Sequence, residues 1–218
     1  MTNEPTVLLT GFEPFGGERI NPSGELVRAL DGALVNGHRV ATAILPVAFS
    51  ATLPALEALL ETHRPVLALA TGQAGGRSEL SIERVAANLI DARMADAAGL
   101  QPIDEPIVEG APAAYFSTLP VKAMLARLRV LGIPAALSQS AGSYVCNQVF
   151  FALMHLVATR YRTTRAGFIH VPWLPEQAVK HHGQPSMALA TMVEGVRAAI
   201  ECAVATHRDL RIAGGSTH

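Results

Sequence analysis

Short, continuously apolar runs alternate along this chain with longer stretches whose apolar residues recur at helical spacing, and this alternation constrains its fold most. Val7-Leu8-Leu9-Thr10, Val66-Leu67-Ala68-Leu69-Ala70, Ile133-Pro134-Ala135-Ala136-Leu137 and Ala166–Pro172 read as strands covered on both faces. Arg39–Leu45 reads as a further strand, halted by Pro46. Between them fall predicted helices over Ser23–Leu30, with Ser23 as N-cap, and over Ser50–Thr62, striped by Leu53, Leu56, Leu59 and Leu60. Another helix begins at Leu119-Pro120 with Ser117 or Thr118 as cap, and the last long one spans Ser186–Thr206. Glu79–Asp91 alternates and is expected to be extended, whereas Ala92–Ala114 has no period and reads as an irregular excursion. Strands alternating with helices imply an α/β fold, a three-layer α/β/α sandwich around a central, largely parallel twisted sheet. Residues 1–207 are expected to form a single domain, and the polar, glycine-rich 208–218 a flexible C-terminal tail.

With 50% hydrophobic and 16% charged residues over 218 positions, the chain can bury a substantial core. A net charge of −1 offers no basic footprint for nucleic acid, and the broken apolar runs are too short to span a membrane. The start, Met1-Thr2-Asn3-Glu4-Pro5, lacks a signal-peptide pattern, and two widely separated cysteines are expected to be free thiols in the cytoplasm. Cys202 falls within the apolar helix pattern Val193–Val204 and is expected in the core.

Ligands in such sheets bind beyond strand ends, which directs attention to the loops after Thr10, Ala70, Ser138 and Ile169. The third of these leads through Ser140-Ala141-Gly142-Ser143-Tyr144-Val145 to Cys146 and Asn147, just before Val149, Phe150, Leu153, Leu156 and Val157 repeat at helical spacing. A thiol at a helix N-terminus meets unpaired N–H groups and the positive end of the dipole. Such environments lower a cysteine pKa from about 8.5 to roughly 3.5–7.5, so a thiolate is expected. The plain alternative for Cys146 is a small buried hydrophobe.

A nucleophilic thiol needs a base and a group to orient that base. His170, at the end of the strand before Val171-Pro172-Trp173, is the best-placed histidine, whereas His155 lies too far along the Cys146 helix. Glu83 interrupts an apolar, strand-like segment, where a carboxylate is costly unless paired. It could orient an imidazole, or it could simply meet an arginine such as its neighbour Arg84. Other chemistries fit less well. His181-His182 lacks a third ligand for a metal, and Gly11–Gly17 lacks the Gly-Lys-Ser/Thr ending of a phosphate loop and the glycine spacing of a dinucleotide site. A phosphate-dependent transferase would have Arg77 and Arg84 as its local cations.

Four ordered segments carry a family resemblance over roughly Val7 to Ile200. They are TGFEPFGG with Asn21-Pro22-Ser23, the stretch GQAGGRSELSIERVAAN from Gly72 to Asn88, SQSAGSYVCN, and FIHVP. With them the chain resembles the pyroglutamyl peptidase I family of cytosolic cysteine peptidases. The resemblance implies Glu83, Cys146 and His170 as catalytic triad and a pocket built from Phe12, Phe15, Gln73, Arg93, Tyr144 and Val145, with Arg93 near the oxyanion. It also implies N-terminal pyroglutamyl peptides as substrates, no cofactor, and a homo-oligomer, often a tetramer. The sequence departs from the family pattern at Gly24, where a tryptophan is common, and at Met94 after Arg93.

Overall fold

A computed structural model of the chain describes residues 4–214. Among the described residues, nine strands and six helices follow in order: β1 (Thr6–Phe12), α1 (Pro22–Leu30), β2 (Leu34–Val35), β3 (His38–Leu45), α2 (Phe49–His63), β4 (Leu67–Gln73), β5 (Leu80–Glu83), β6 (Val85–Ala87) and β7 (Ala114–Phe116). Then come α3 (Val121–Val130), β8 (Ala135–Ser138), α4 (Val145–Thr159), β9 (Arg165–Val171), α5 (Pro175–Ala178) and α6 (Leu189–Ala205). Seven strands form one sheet in the order β2-β3-β1-β4-β9-β5-β8, and β6 pairs with β7 in a separate ribbon. The core strands β3, β1, β4 and β9 are mutually parallel, as continuous apolar runs require. Helices α1, α3 and α6 cover one face, whose core includes Leu26, Leu128 and Val196. Helices α2 and α4 cover the other, with Leu56, Phe150 and Leu153. The three-layer α/β sandwich is therefore present.

Several local expectations are corrected. The extended stretch Glu79–Asp91 is two strands in two sheets, β5 and β6, which part at Arg84. Strand β5 runs antiparallel to β9 and parallel to β8, so the loop after Ser138 starts level with Phe168 in mid-sheet rather than beyond the ends of the parallel strands. Helix α1 is capped by Asn21, whose side chain accepts from Ser23 N–H, with Pro22 in the first turn. Ser23 instead accepts from Phe12 N–H at 3.0 Å and pins the end of β1. Helix α3 takes no cap from Ser117 or Thr118: its Lys122 and Ala123 N–H groups donate to the Asp209 carboxylate, at 2.9–3.1 Å, from the segment after α6. Within that same C-terminal segment, residues 215–218 lie outside those described.

Among the described residues no helix is long and apolar enough to cross a membrane.

Candidate active site

Strand pairing sets the first half of the site. Ser81 of β5 faces His170 of β9, and Glu83 faces Phe168, so Glu83 and His170 form a diagonal pair on one face. His170 Nδ1 lies 2.7 Å from Glu83 Oε1, and both side chains are buried. The imidazole donates this hydrogen bond, which leaves Nε2 as the acceptor. Arg77, in the turn after β4, donates from Nη1 to the same carboxylate oxygen at 2.7 Å. Both readings of Glu83 therefore hold together, with Arg77 and not Arg84 as the arginine.

On the other side of β9, Gly72 of β4 is the register partner of His170. A Cβ built on Gly72 would lie 2.8 Å from Cys146 Sγ, 2.9 Å from Phe168 Cζ and 3.4 Å from Phe12 Cε2. The thiol therefore rests directly on the glycine backbone, over the junction of β4 and β9, where adjacent strands are about 4.8 Å apart. Any side chain at position 72 would occupy the space of the sulfur.

Helix α4 carries Cys146 in its first turn, and it opens without a side-chain cap. Among the described residues the N–H groups of Val145, Cys146 and Asn147 find no acceptor, and the first helical bond is donated by Gln148 to Tyr144. The helix head is held by other means. Asn147 donates to the carbonyls of Ala87 and Leu89 at 2.9 and 3.0 Å and accepts from Ala87 N–H, while Gln148 donates to Phe49 O at 2.9 Å. Asn147 was not singled out from sequence, although an amide side chain in the first turn next to the cysteine was a usable signal.

The thiol's electrostatics overturn the expectation of a depressed pKa. Burial pushes Cys146 up to about 12, the negative charge of Glu83 adds to this, and Arg77 offsets part of it. His170 moves down from its ordinary value because burial disfavours the imidazolium more than Glu83 favours it. Both shifts run the same way, each favouring the neutral form of its group.

Of the remaining residues expected at the site, Phe15, Gln73 and Arg93 line a cleft, and the others lie in the core or at the head of α4. Phe12 is core, lying beneath the sulfur. Phe15, Gln73, Arg93 and Met94 line a cleft of about 440 Å³ together with Glu18, Trp173, His181 and Gln184. Gln73 Oε1 accepts from Gln177, itself anchored on Ile20 O and Leu174 N–H. The exposed Arg93 makes no side-chain hydrogen bond among the described residues. Val145 is buried against α4's core, and Tyr144 donates to Ala95 O at 3.0 Å while its ring meets Phe49 edge-on. Trp173, with the His181 ring tilted against it at 57°, and the Glu18–His181 contact at 3.1 Å are cleft components; the sequence had raised His181 only as a possible metal ligand. Of the departures, Met94 belongs to the cleft wall. Gly24 sits where a Cβ would be 2.7 Å from Phe12 O, so α1 packs against the end of β1 closely enough to exclude a larger residue without a backbone shift.

The pyroglutamyl peptidase family model matches residues 5–206. The pyrrolidone-carboxylate peptidase of Cupriavidus taiwanensis is 56% identical over 98% of this chain and 100% of its own length. The one from Erwinia tasmaniensis is 53% identical over 97% and 99%. Among solved structures, pyroglutamyl peptidase I from Bacillus amyloliquefaciens superposes with a TM-score of 0.94 at 40% identity, covering 96% of this chain and all of that one. The pyrrolidone carboxyl peptidase of Pyrococcus furiosus gives 0.89 at 46% identity, covering 92% and 98%. Full-length matches of this kind, on a fold with the same layers, leave one assignment: the chain belongs to the pyroglutamyl peptidase family.

Proposed function

We propose that the protein is a thiol omega-peptidase that hydrolyses the amide bond joining an N-terminal pyroglutamyl residue to the rest of a peptide, through Cys146, His170 and Glu83. The observation that carries the reading is the position of Cys146 Sγ. It lies against Gly72, the register partner of His170, at the head of an uncapped helix, and His170 is hydrogen-bonded from behind by Glu83.

The protonation states support general-base attack. As Sγ bonds to the scissile carbonyl carbon, its proton passes to His170 Nε2, and Glu83 stabilises the imidazolium through Nδ1–H. The carbonyl electron pair moves onto oxygen, and the free N–H groups at the start of α4, with Arg93, are the donors suited to hold that oxyanion. Collapse expels the amine, which takes the proton from Nε2 and leaves a thioester. His170 then deprotonates a water that attacks the thioester, and the thiol is restored as pyroglutamate leaves.

The cleft chemistry agrees with a flat, uncharged lactam. Phe15 and Trp173 supply aromatic wall, and the chain around Gln73 and Gln184 supplies amide partners. Two free cysteines support a reducing, cytoplasmic setting, and the family relationship supports a homo-oligomer. The test is release of a fluorogenic amine from its pyroglutamyl amide. Wild-type protein should turn over, and both Cys146→Ala and thiol-alkylated protein should be inert. Substantial turnover by either would sink the assignment.

A further inference from the structure

Glu83 is fully buried, and its Oε1 accepts from both His170 and Arg77, while Oε2 finds no donor among the described residues. A buried carboxylate needs a compensating charge, and a neutral imidazole supplies a hydrogen bond without one. The charge comes from Arg77, whose side chain is one-third exposed. Its second arm, Nη2, donates to Ser140 O at 3.3 Å, in the loop that leads into α4. One guanidinium thus joins the turn after β4, the end of β5 and the loop that delivers Cys146. Arg84, between β5 and β6, takes part among the described residues through its backbone alone.

We infer that Arg77 is a positioning residue of the catalytic site, pairing with the Glu83 carboxylate behind His170 through one arm and fixing the Cys146-bearing loop to that carboxylate with the other. The inference rests on the proposed roles of Cys146, His170 and Glu83. The charged and titratable groups facing His170 are Glu83 from β5, Arg77 from the preceding turn and Cys146 from α4. The same Glu83 and Arg77 act on the thiol, where the arginine's charge favours ionisation. Fork geometry matters as well as charge, because a lysine can keep the charge but cannot reach two acceptors in the same plane.

Two readouts in a Cys202→Ser background test this. The first is the rate at which iodoacetamide alkylates Cys146 at pH 8, and the second is steady-state hydrolysis of a pyroglutamyl amide. Arg77→Met should slow alkylation about three- to tenfold, the effect of one unit charge removed from a partly screened site. It should also lower kcat more than it raises KM. Arg77→Lys should retain alkylation within about twofold and still lose kcat, because the tie to Ser140 is broken. Unchanged alkylation in Arg77→Met, or wild-type kcat in Arg77→Lys, would overturn the inference. A merely structural role would lower kcat without changing thiol reactivity, and Arg77→Lys decides the matter if Arg77→Met does not fold. If wild-type protein fails to hydrolyse the amide, the functional proposal falls while the alkylation readout still judges Arg77.

Discussion

Adding one methyl group to Gly72 should damage catalysis far more than stability. The new Cβ would stand 2.8 Å from Cys146 Sγ and 2.9 Å from Phe168 Cζ, against a comfortable separation of about 3.5–4.0 Å. Neither neighbour is free to retreat. The Phe168 ring is packed between Phe150 and His170, with centroids 5.7 and 4.7 Å away. The head of α4 is fixed by the hydrogen bonds of Asn147 and Gln148. The sulfur must therefore yield by roughly 1 Å, chiefly by rotation about its own side chain, and a misplacement of that size costs about 10²-fold in rate. Overpacking costs about 1–3 kcal/mol, and the reduced freedom of the unfolded chain returns about 0.4–1 kcal/mol. A net loss of about 1–2 kcal/mol lowers Tm by about 2–8 °C in a domain of this size. The assay is kcat/KM on a fluorogenic pyroglutamyl amide alongside a calorimetric scan of the same preparation. Turnover within about threefold of wild type, at an unchanged Tm, would refute the placement of the thiol on this glycine.

Two further outcomes follow from the site's acid–base chemistry and from a remote cap. His170 is driven below its ordinary value by burial, so the acid limb of kcat/KM should lie below pH 6.5, and a limb above that would contradict the buried neutral imidazole. The stability sign is the same. The unfolded chain binds the proton first, so this contribution is complete above about 6.5 and is lost as pH falls towards the folded-state value, which urea titrations from pH 7.5 to 5 would read in a His170→Gln comparison. Asp209→Ala removes the carboxylate that receives the Lys122 and Ala123 N–H groups and should cost about 0.5–2 kcal/mol. Its kcat should be unchanged, because α3 lies on the face of the sheet opposite Cys146, and a large loss of turnover at full stability would contradict that separation.

The sequence was legible where local pattern and physics coincide. Strands β1, β4 and β9 are buried at all but one position each and mostly apolar because both faces are covered, and the residues that end them stand at the site. β2, β7 and α5 have two to four residues each, too few to display a period. The start of α1 could have been placed better, since proline favours the first helical turn and Asn21-Pro22 therefore names its own cap. The cap of α3 could not, because Asp209 lies 87 residues from Lys122. At the site, Glu83, Cys146 and His170 each stood out by residue type in an unusual setting. Their convergence depends on the antiparallel insertion of β5 beside β9, and alternation is the same for either strand direction. Arg77 was considered for phosphate and Arg84 for Glu83, and only the register shows which arginine faces the carboxylate.

The thiol is where local and tertiary physics pull against each other, and the result bears on how such a site can work. An uncapped helix N-terminus argues for a thiolate, yet the half-buried sulfur sits beside a buried carboxylate, and the balance leaves the proton on sulfur. A permanent thiolate–imidazolium pair would place two further charges, each with its own desolvation cost, in a region that already holds the Glu83–Arg77 pair. In the proposed reaction the charges instead develop as the bond to carbon forms. Negative charge then leaves sulfur for the carbonyl oxygen, where the free N–H groups of Val145, Cys146 and Asn147 stand ready, and positive charge settles on His170 against Glu83. Donors that find no acceptor beforehand gain most at that moment, which gives the missing cap a purpose that a serine or aspartate at position 144 would remove. The Tyr144→Asp variant would satisfy the helix and should lower kcat, because the same N–H groups cannot serve both a cap and an oxyanion. Its cap, worth about 0.5–2 kcal/mol, is set against the lost Phe49 contact and the bond to Ala95, so Tm should move little, and wild-type kcat in this variant would refute the use of these donors.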